Sequence, residues 1–67
     1  MIVDVKAERL KKNLTQQDLA DKVGVRRSTI SMIELGVNKP SVTLAKKIGE
    51  VLKLKKKVMT EWIFSLN

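Results

Sequence analysis

The segment DKVGVRRSTIS, residues 21–31, sets two guanidinium groups side by side, Arg26 and Arg27, where a helical pattern restarts after Gly24. A guanidinium presents N–H donors in a planar fork, which suits phosphate oxygens or the O6 and N7 acceptors of guanine. The chain holds little else with which to do chemistry. It has no histidine and no cysteine, so imidazole bases, thiol nucleophiles, disulfides and Cys/His zinc sites are excluded. The three glycines stand apart at 24, 36 and 49, and no glycine-rich phosphate loop can form from them. The acids at 4, 8, 18, 21, 34, 50 and 61 fall mostly at helical surface positions, with no pair set for general acid–base work. These residue types point to binding and away from catalysis. The chain is expected not to be an enzyme, and no metal, cofactor or small-molecule ligand is expected.

Charge narrows the partner. Fourteen Lys and Arg residues face seven acids, a net charge of +7 on 67 residues. Such an excess favours a polyanion, most often nucleic acid and sometimes a membrane surface, although lysines also serve solubility. A chain this short forms one domain at most, over residues 1–67, and buries only roughly 60% of its unfolded surface. No apolar run reaches the ~20 residues that span a bilayer. The first ten residues, MIVDVKAERL, carry Asp4 and Glu8 and do not read as a signal peptide. The expectation is a soluble, cytoplasmic protein of the prokaryotic nucleoid.

The elements that must position the arginines follow from local punctuation. Met1, Val5 and Leu10 form a loose helical stripe over residues 1–12, with Asn13 as a left-handed stop. Thr15 followed by Asp18 is close to a capping box and opens a second helix. That helix turns Leu19, Ala20 and Val23 inward and Asp18, Asp21 and Lys22 outward, and Gly24 ends it at positive φ. A third helix runs from about Arg27 to Leu35, with Ile30 and Ile33 on one side and Ser28, Ser31 and Met32 on the other. Gly36 closes it. After the loop before Pro40, Ser41 starts a fourth helix on the apolar positions Val42, Leu44, Ala45, Ile48, Val51 and Leu52. Gly49 weakens that helix by about 1 kcal/mol relative to Ala unless another helix packs closely there. The charge run KLKKK at 53–57 follows, and Thr60 is placed to cap a short last helix with Trp62, Ile63, Phe64 and Leu66. No strand alternation appears. The fold class is all-α, a compact bundle of four to five short helices.

Two short helices joined by a tight glycine turn, about residues 15–35, can place the second helix in the DNA major groove. Arg26 and Arg27 sit at its entering end. Here LTQQDLADKVGVRRSTISMIELG resembles the helix-turn-helix of the phage repressor and Cro type, the XRE family. The matching positions are Leu14, Thr15, Gln16, Leu19, Ala20, Gly24, Val25, Ile30, Ser31, Ile33, Glu34, Gly36, Pro40 and Ser41. The likeness covers roughly residues 5–52. It implies a lambda-repressor-like DNA-binding domain that reads the major groove of double-stranded DNA with the helix at about 27–35. By the same resemblance, Arg27, Ser28 and Met32 face bases, Met32 through apolar contact with a thymine methyl. Gln16 touches a phosphate and supports a neighbouring recognition side chain. Gln17, Arg26, Thr29, Ser31 and Lys39 supply flanking or phosphate contacts, and Arg9 with Glu34 forms a structural ion pair. The implied function is that of a transcription regulator, a repressor, binding a near-palindromic operator as a homodimer at least on DNA.

The family pattern departs at residues 53–67. KLKKKVM makes the connection to the last helix longer than usual by roughly one helical turn. Trp62, Ile63, Phe64 and Leu66 are then either a dimer surface or part of the domain's own core. The lysines at 53, 55, 56 and 57 either add phosphate affinity or form a solvated helix end. Other readings keep the same motif: the controller protein of a restriction-modification system, or an antitoxin whose apolar tail meets its toxin. From other classes, the motif serves only protein interaction, or KLKKKVMTEWIF binds a membrane surface.

Overall fold

The structure is a computed structural model and describes residues 3–66. Among these residues the chain forms five helices and no strand: α1 (Val5–Lys11), α2 (Gln16–Val23), α3 (Arg27–Glu34), α4 (Val42–Leu52) and α5 (Lys56–Ser65). Met1, placed by the sequence on the stripe of the first helix, lies outside the described residues.

Three helices begin on side-chain caps. Asp4 Oδ1 accepts from Ala7 N at 3.1 Å, and Ser41 Oγ accepts from Leu44 N at 3.1 Å. At α2 the capping box is complete: Asp18 N donates to Thr15 Oγ1 and Thr15 N to Asp18 Oδ2, both at 2.9 Å. The ends of α1, α3 and α4 share one device. A left-handed residue (Asn13, Gly36, Lys53) is followed by an apolar residue whose N–H returns to a carbonyl in the last turn. These bonds are Leu14 N to Arg9 O, Val37 N to Met32 O and Leu54 N to Gly49 O. They are Schellman motifs, which satisfy carbonyls the helix cannot. Gly24, φ 74°, turns the chain after α2 in the same left-handed way.

The core is one cluster drawn from every helix: Val5, Leu19, Ala20, Val23, Ile30, Ile33, Ala45, Ile48, Leu52 and Trp62, joined by Val3. α2 lies at its centre, packed on α3 and α4, while α5 packs on α4 and α1 on α3. The stripe of α1 differs from the expected one. Leu10 is exposed, and the residue turned inward one turn after Val5 is Arg9, only 6% exposed. A charged side chain can occupy that place because each of its three side-chain nitrogens finds an acceptor, as described below.

The C-terminal part corrects two expectations. Thr60 does not cap the last helix: α5 begins at Lys56, and the Thr60 hydroxyl donates to Lys56 O at 2.9 Å from within it. Nor is the connection long, since only residues 53–55 separate α4 from α5. The extra turn of sequence is the first turn of α5. Leu54 and Met59 both lie over Gly49 of α4, the positions of a hydrophobic staple around the helix start at Lys55. A Cβ on Gly49 would fall on the Met59 side chain, so the glycine permits this close approach. Trp62 is buried in the chain's own core, and Ile63 and Leu66 pack against it, leaving only Phe64 of the four tail residues exposed. The tail folds back.

Lys53 is a non-glycine residue at φ 56°, a conformation that crowds its Cβ. Lys53→Gly is expected to stabilise the fold by about 1 kcal/mol, the relieved strain exceeding the added unfolded-state entropy. The melting temperature should rise by roughly 4–8 °C, read by circular dichroism. An unchanged or lower value would show that the strain at this turn does not exceed the entropic cost of the glycine.

Candidate nucleic-acid interface

The turn between α2 and α3 is short because Gly24 redirects the chain at once and half-buried Val25 anchors it, with its N–H on Ala20 O at 3.0 Å. α3 thus starts at the surface. Its cap residue is Arg26, whose side chain makes no capping hydrogen bond, so no side-chain acceptor engages the first-turn amides of α3. Ile30 and Ile33 hold the inner side of α3 in the core. On the outer side Arg27, Ser28, Ser31, Met32 and Leu35 line one shallow recess. Arg27 also borders a second recess, over the start of α2, together with Gln16 and Gln17. It stands where the two recesses meet.

A chain of hydrogen bonds runs from the core to this point. Arg9 Nη1 donates to Leu14 O at 2.8 Å, and Arg9 Nε and Nη2 donate to Glu34 Oε2 and Oε1 at 2.7 and 3.1 Å. Gln16 Nε2 donates to Glu34 Oε1 at 3.0 Å, and Arg27 Nε donates to Gln16 Oε1 at 3.3 Å. Three helices are joined: Arg9 of α1, Gln16 of α2, and Glu34 with Arg27 of α3. The Arg9–Glu34 side chains are 7% and 4% exposed, and a pair so placed fixes geometry more than it adds stability. Arg27 has its Nε engaged, so its terminal nitrogens remain available as a fork.

Burial pushes the Glu34 carboxyl up, but hydrogen bonds from Arg9 and Gln16 outweigh it and hold its pKa below the ordinary range. Hydrogen bonding to the Thr15 backbone and hydroxyl lowers that of Asp18. Both folded-state values lie below the unfolded ones. Their contribution is therefore complete above the unfolded carboxylate pKa, about 4–4.5, and is lost as pH falls through the folded values. With no histidine in the chain, the melting temperature should stay level from about pH 7 to pH 5 and fall below about pH 4.5. Glu34→Gln should flatten that acid limb. A fall centred near pH 6 would contradict the account.

The sequence-derived residues do not all meet on one face. Arg27, Ser28, Ser31 and Met32 do. Arg26 is exposed at the helix start and Thr29 is half-buried on the flank. Gln17 donates to Asp21 Oδ1 at 2.8 Å, along its own helix. Lys39 lies beyond the other end of α3, where its loop meets Ile33 and the last turn of α5. Two neighbours of the outer face were not singled out from the sequence. Leu35 is 74% exposed, and Asn38 Nδ2 lies 3.1 Å from Met32 Sδ. The Leu35 signal was available, since it follows Arg27 at helical spacing, whereas the Asn38 contact depends on how the loop folds back.

A helix-turn-helix family model matches residues 5–57. An uncharacterized HTH-type transcriptional regulator of Archaeoglobus fulgidus is 49% identical over 76% of this chain and 72% of its own length. The Bacillus subtilis regulator YqaF, of the same description, is 46% identical over 72% of this chain and 63% of its own. A regulator of Methanocaldococcus jannaschii is 54% identical over 64% of this chain and 65% of its own, so this match and that of YqaF span somewhat under two thirds of the relative. No solved structure matches the chain significantly. With its capped α2, left-handed Gly24 and outward-facing α3 inside the matched stretch, the chain belongs to the XRE family of helix-turn-helix proteins.

Proposed function

We propose that this chain is a sequence-specific transcription regulator, a repressor, that reads double-stranded DNA with the outer face of α3. The observation that carries the reading is the position of Arg27. It is held through Gln16 and Glu34 to a buried arginine, yet keeps its terminal nitrogens free beside Ser28 and Met32. An α-helix with its side chains is about 10–12 Å across, which fits the width of the major groove. Arg27 pairs with guanine, Ser28 and Met32 meet neighbouring base edges, and Gln16, Arg26 and the free α3 amides take phosphates. Gln17, Thr29, Ser31 and Lys39 flank these contacts. The family name shared by the relatives, HTH-type transcriptional regulator, agrees with this use.

Two copies bind as a homodimer on a near-palindromic operator. The described chain measures 26 × 22 × 19 Å, so two copies fit side by side on half-sites roughly 34 Å apart. Titration of a duplex at increasing salt tests the phosphate contacts. The logarithm of affinity should fall linearly with the logarithm of salt, with a slope near −0.9 for each phosphate neutralised. Binding that is indifferent to salt, or absent at about 50 mM salt, would remove this reading.

A further inference from the structure

We propose that the groove between α4 and α5 is a docking site for an acidic amphipathic helix of a protein partner. It goes beyond the DNA-reading role and uses none of the residues on the outer face of α3. The groove encloses about 570 Å³. Its floor is apolar: buried Gly49 and the half-buried side chains of Leu54, Met59 and Ile63. Its rims carry Lys46 from α4, Lys53 just after the end of α4 and Lys56 from α5, all exposed, with Glu50 and Thr60 between them. The only ion pairs among the described residues are Arg9–Glu34 and Lys11–Glu8, so no described carboxylate engages the rim lysines.

Charge says what covers this surface. Residues 46–57 hold six lysines against one glutamate, +5 of the chain's net +7. Most of the net positive charge thus lies in this stretch, and three of its lysines, Lys46, Lys53 and Lys56, line the groove. A nucleic-acid backbone would use the lysines and leave the apolar floor idle. A membrane surface calls for apolar side chains standing outward, whereas in this groove they form the floor, the lysines stand above them, and exposed Phe64 is not part of its lining. A narrow apolar ridge flanked by carboxylates uses both. The lining repeats at helical spacing on each wall, from Lys46 to Lys53 and from Lys56 to Ile63. Each wall is about two turns, or roughly 10 Å, long. That length suits helix-in-groove docking, with apolar anchors at i, i+3 or i+4, and i+7. The Met59 side chain over Gly49 lends the floor adaptability, as methionine does at other binding surfaces.

The test uses the full chain and a fluorescent helical peptide of about 14 residues, leucines on one face and glutamates elsewhere. The control peptide has the same composition in shuffled order. The chain should bind the amphipathic peptide at least about tenfold more tightly than the shuffled one. Lys53→Glu with Lys56→Glu should weaken it at least about tenfold, while Lys12→Glu with Lys22→Glu, of equal net charge, should leave it within about threefold. All four lysines are exposed, and unchanged melting curves confirm the fold. Equal binding of the two peptides, equal loss in the two charge reversals, or displacement of the peptide by a short random duplex would each overturn the proposal. None of these results depends on whether α3 reads sequence.

Discussion

Glu34→Ala should be among the most damaging single substitutions in this chain. Removing the carboxylate leaves the Arg9 guanidinium almost fully buried, with only Leu14 O to accept from it. Breaking a buried pair in this way costs about 3–5 kcal/mol, because an uncompensated charge remains in a medium that solvates it poorly. A 67-residue domain has a total stability of about 3–10 kcal/mol at typical values per residue. The variant should therefore melt more than about 12 °C lower, or be unfolded at 37 °C. Arg9→Met with Glu34→Leu should recover most of the loss, since it removes both charges and refills the space. Thermal and urea denaturation of the three proteins decide the matter. If Glu34→Ala melts within about 3 °C of wild type, the pair is not the buried clamp described here.

Arg27→Ala should have the largest effect on recognition while leaving the fold intact. Arg27 is exposed and contributes only a 3.3 Å bond to Gln16, so its loss costs little stability. Operator affinity should fall by about 1–3 kcal/mol, roughly 5- to 150-fold, and preference should relax at one base position. Lys39→Ala provides the contrast. It should weaken all sequences evenly and lower the steepness of the salt dependence by about one. If Arg27→Ala bound the preferred site as tightly as wild type, the outer face of α3 would have lost its principal reader.

The part of the fold written in local punctuation was legible from the sequence. Thr15 with Asp18, Asn13, Gly24, Gly36 and Ser41 each act within a few residues of themselves, and each helix boundary they mark is present. The start of α5 was not legible because its one local marker, the staple pair Leu54 and Met59, brackets no capping side chain. Lys55 offers no side-chain cap, Lys53 takes a conformation its Cβ disfavours, and the turn is fixed by Leu54 and Met59 settling over Gly49. Tertiary burial overrode propensity there. The same holds for α1, where helical spacing puts Leu10 on the apolar stripe and only the family resemblance points to Arg9. The order is reversed because Glu34, 25 residues away, supplies the acceptors. Of the interface, the Ser28, Ser31 and Met32 stripe follows from helical spacing alone. The Gln16–Arg27 bond and the approach of Asn38 to Met32 are contacts between elements, and no periodicity within one helix reports them.

Whether the outer face of α3 reads base sequence is decided by a binding selection from a random duplex pool at near-physiological salt. A near-palindrome with half-sites roughly 34 Å apart should be enriched. A parallel selection with Arg27→Ala should lose the preference at one position in each half. Recovery of nothing but random sequence by the wild-type chain would contradict base reading by α3, leaving charge-driven attachment to DNA and a helix-turn-helix used for binding protein.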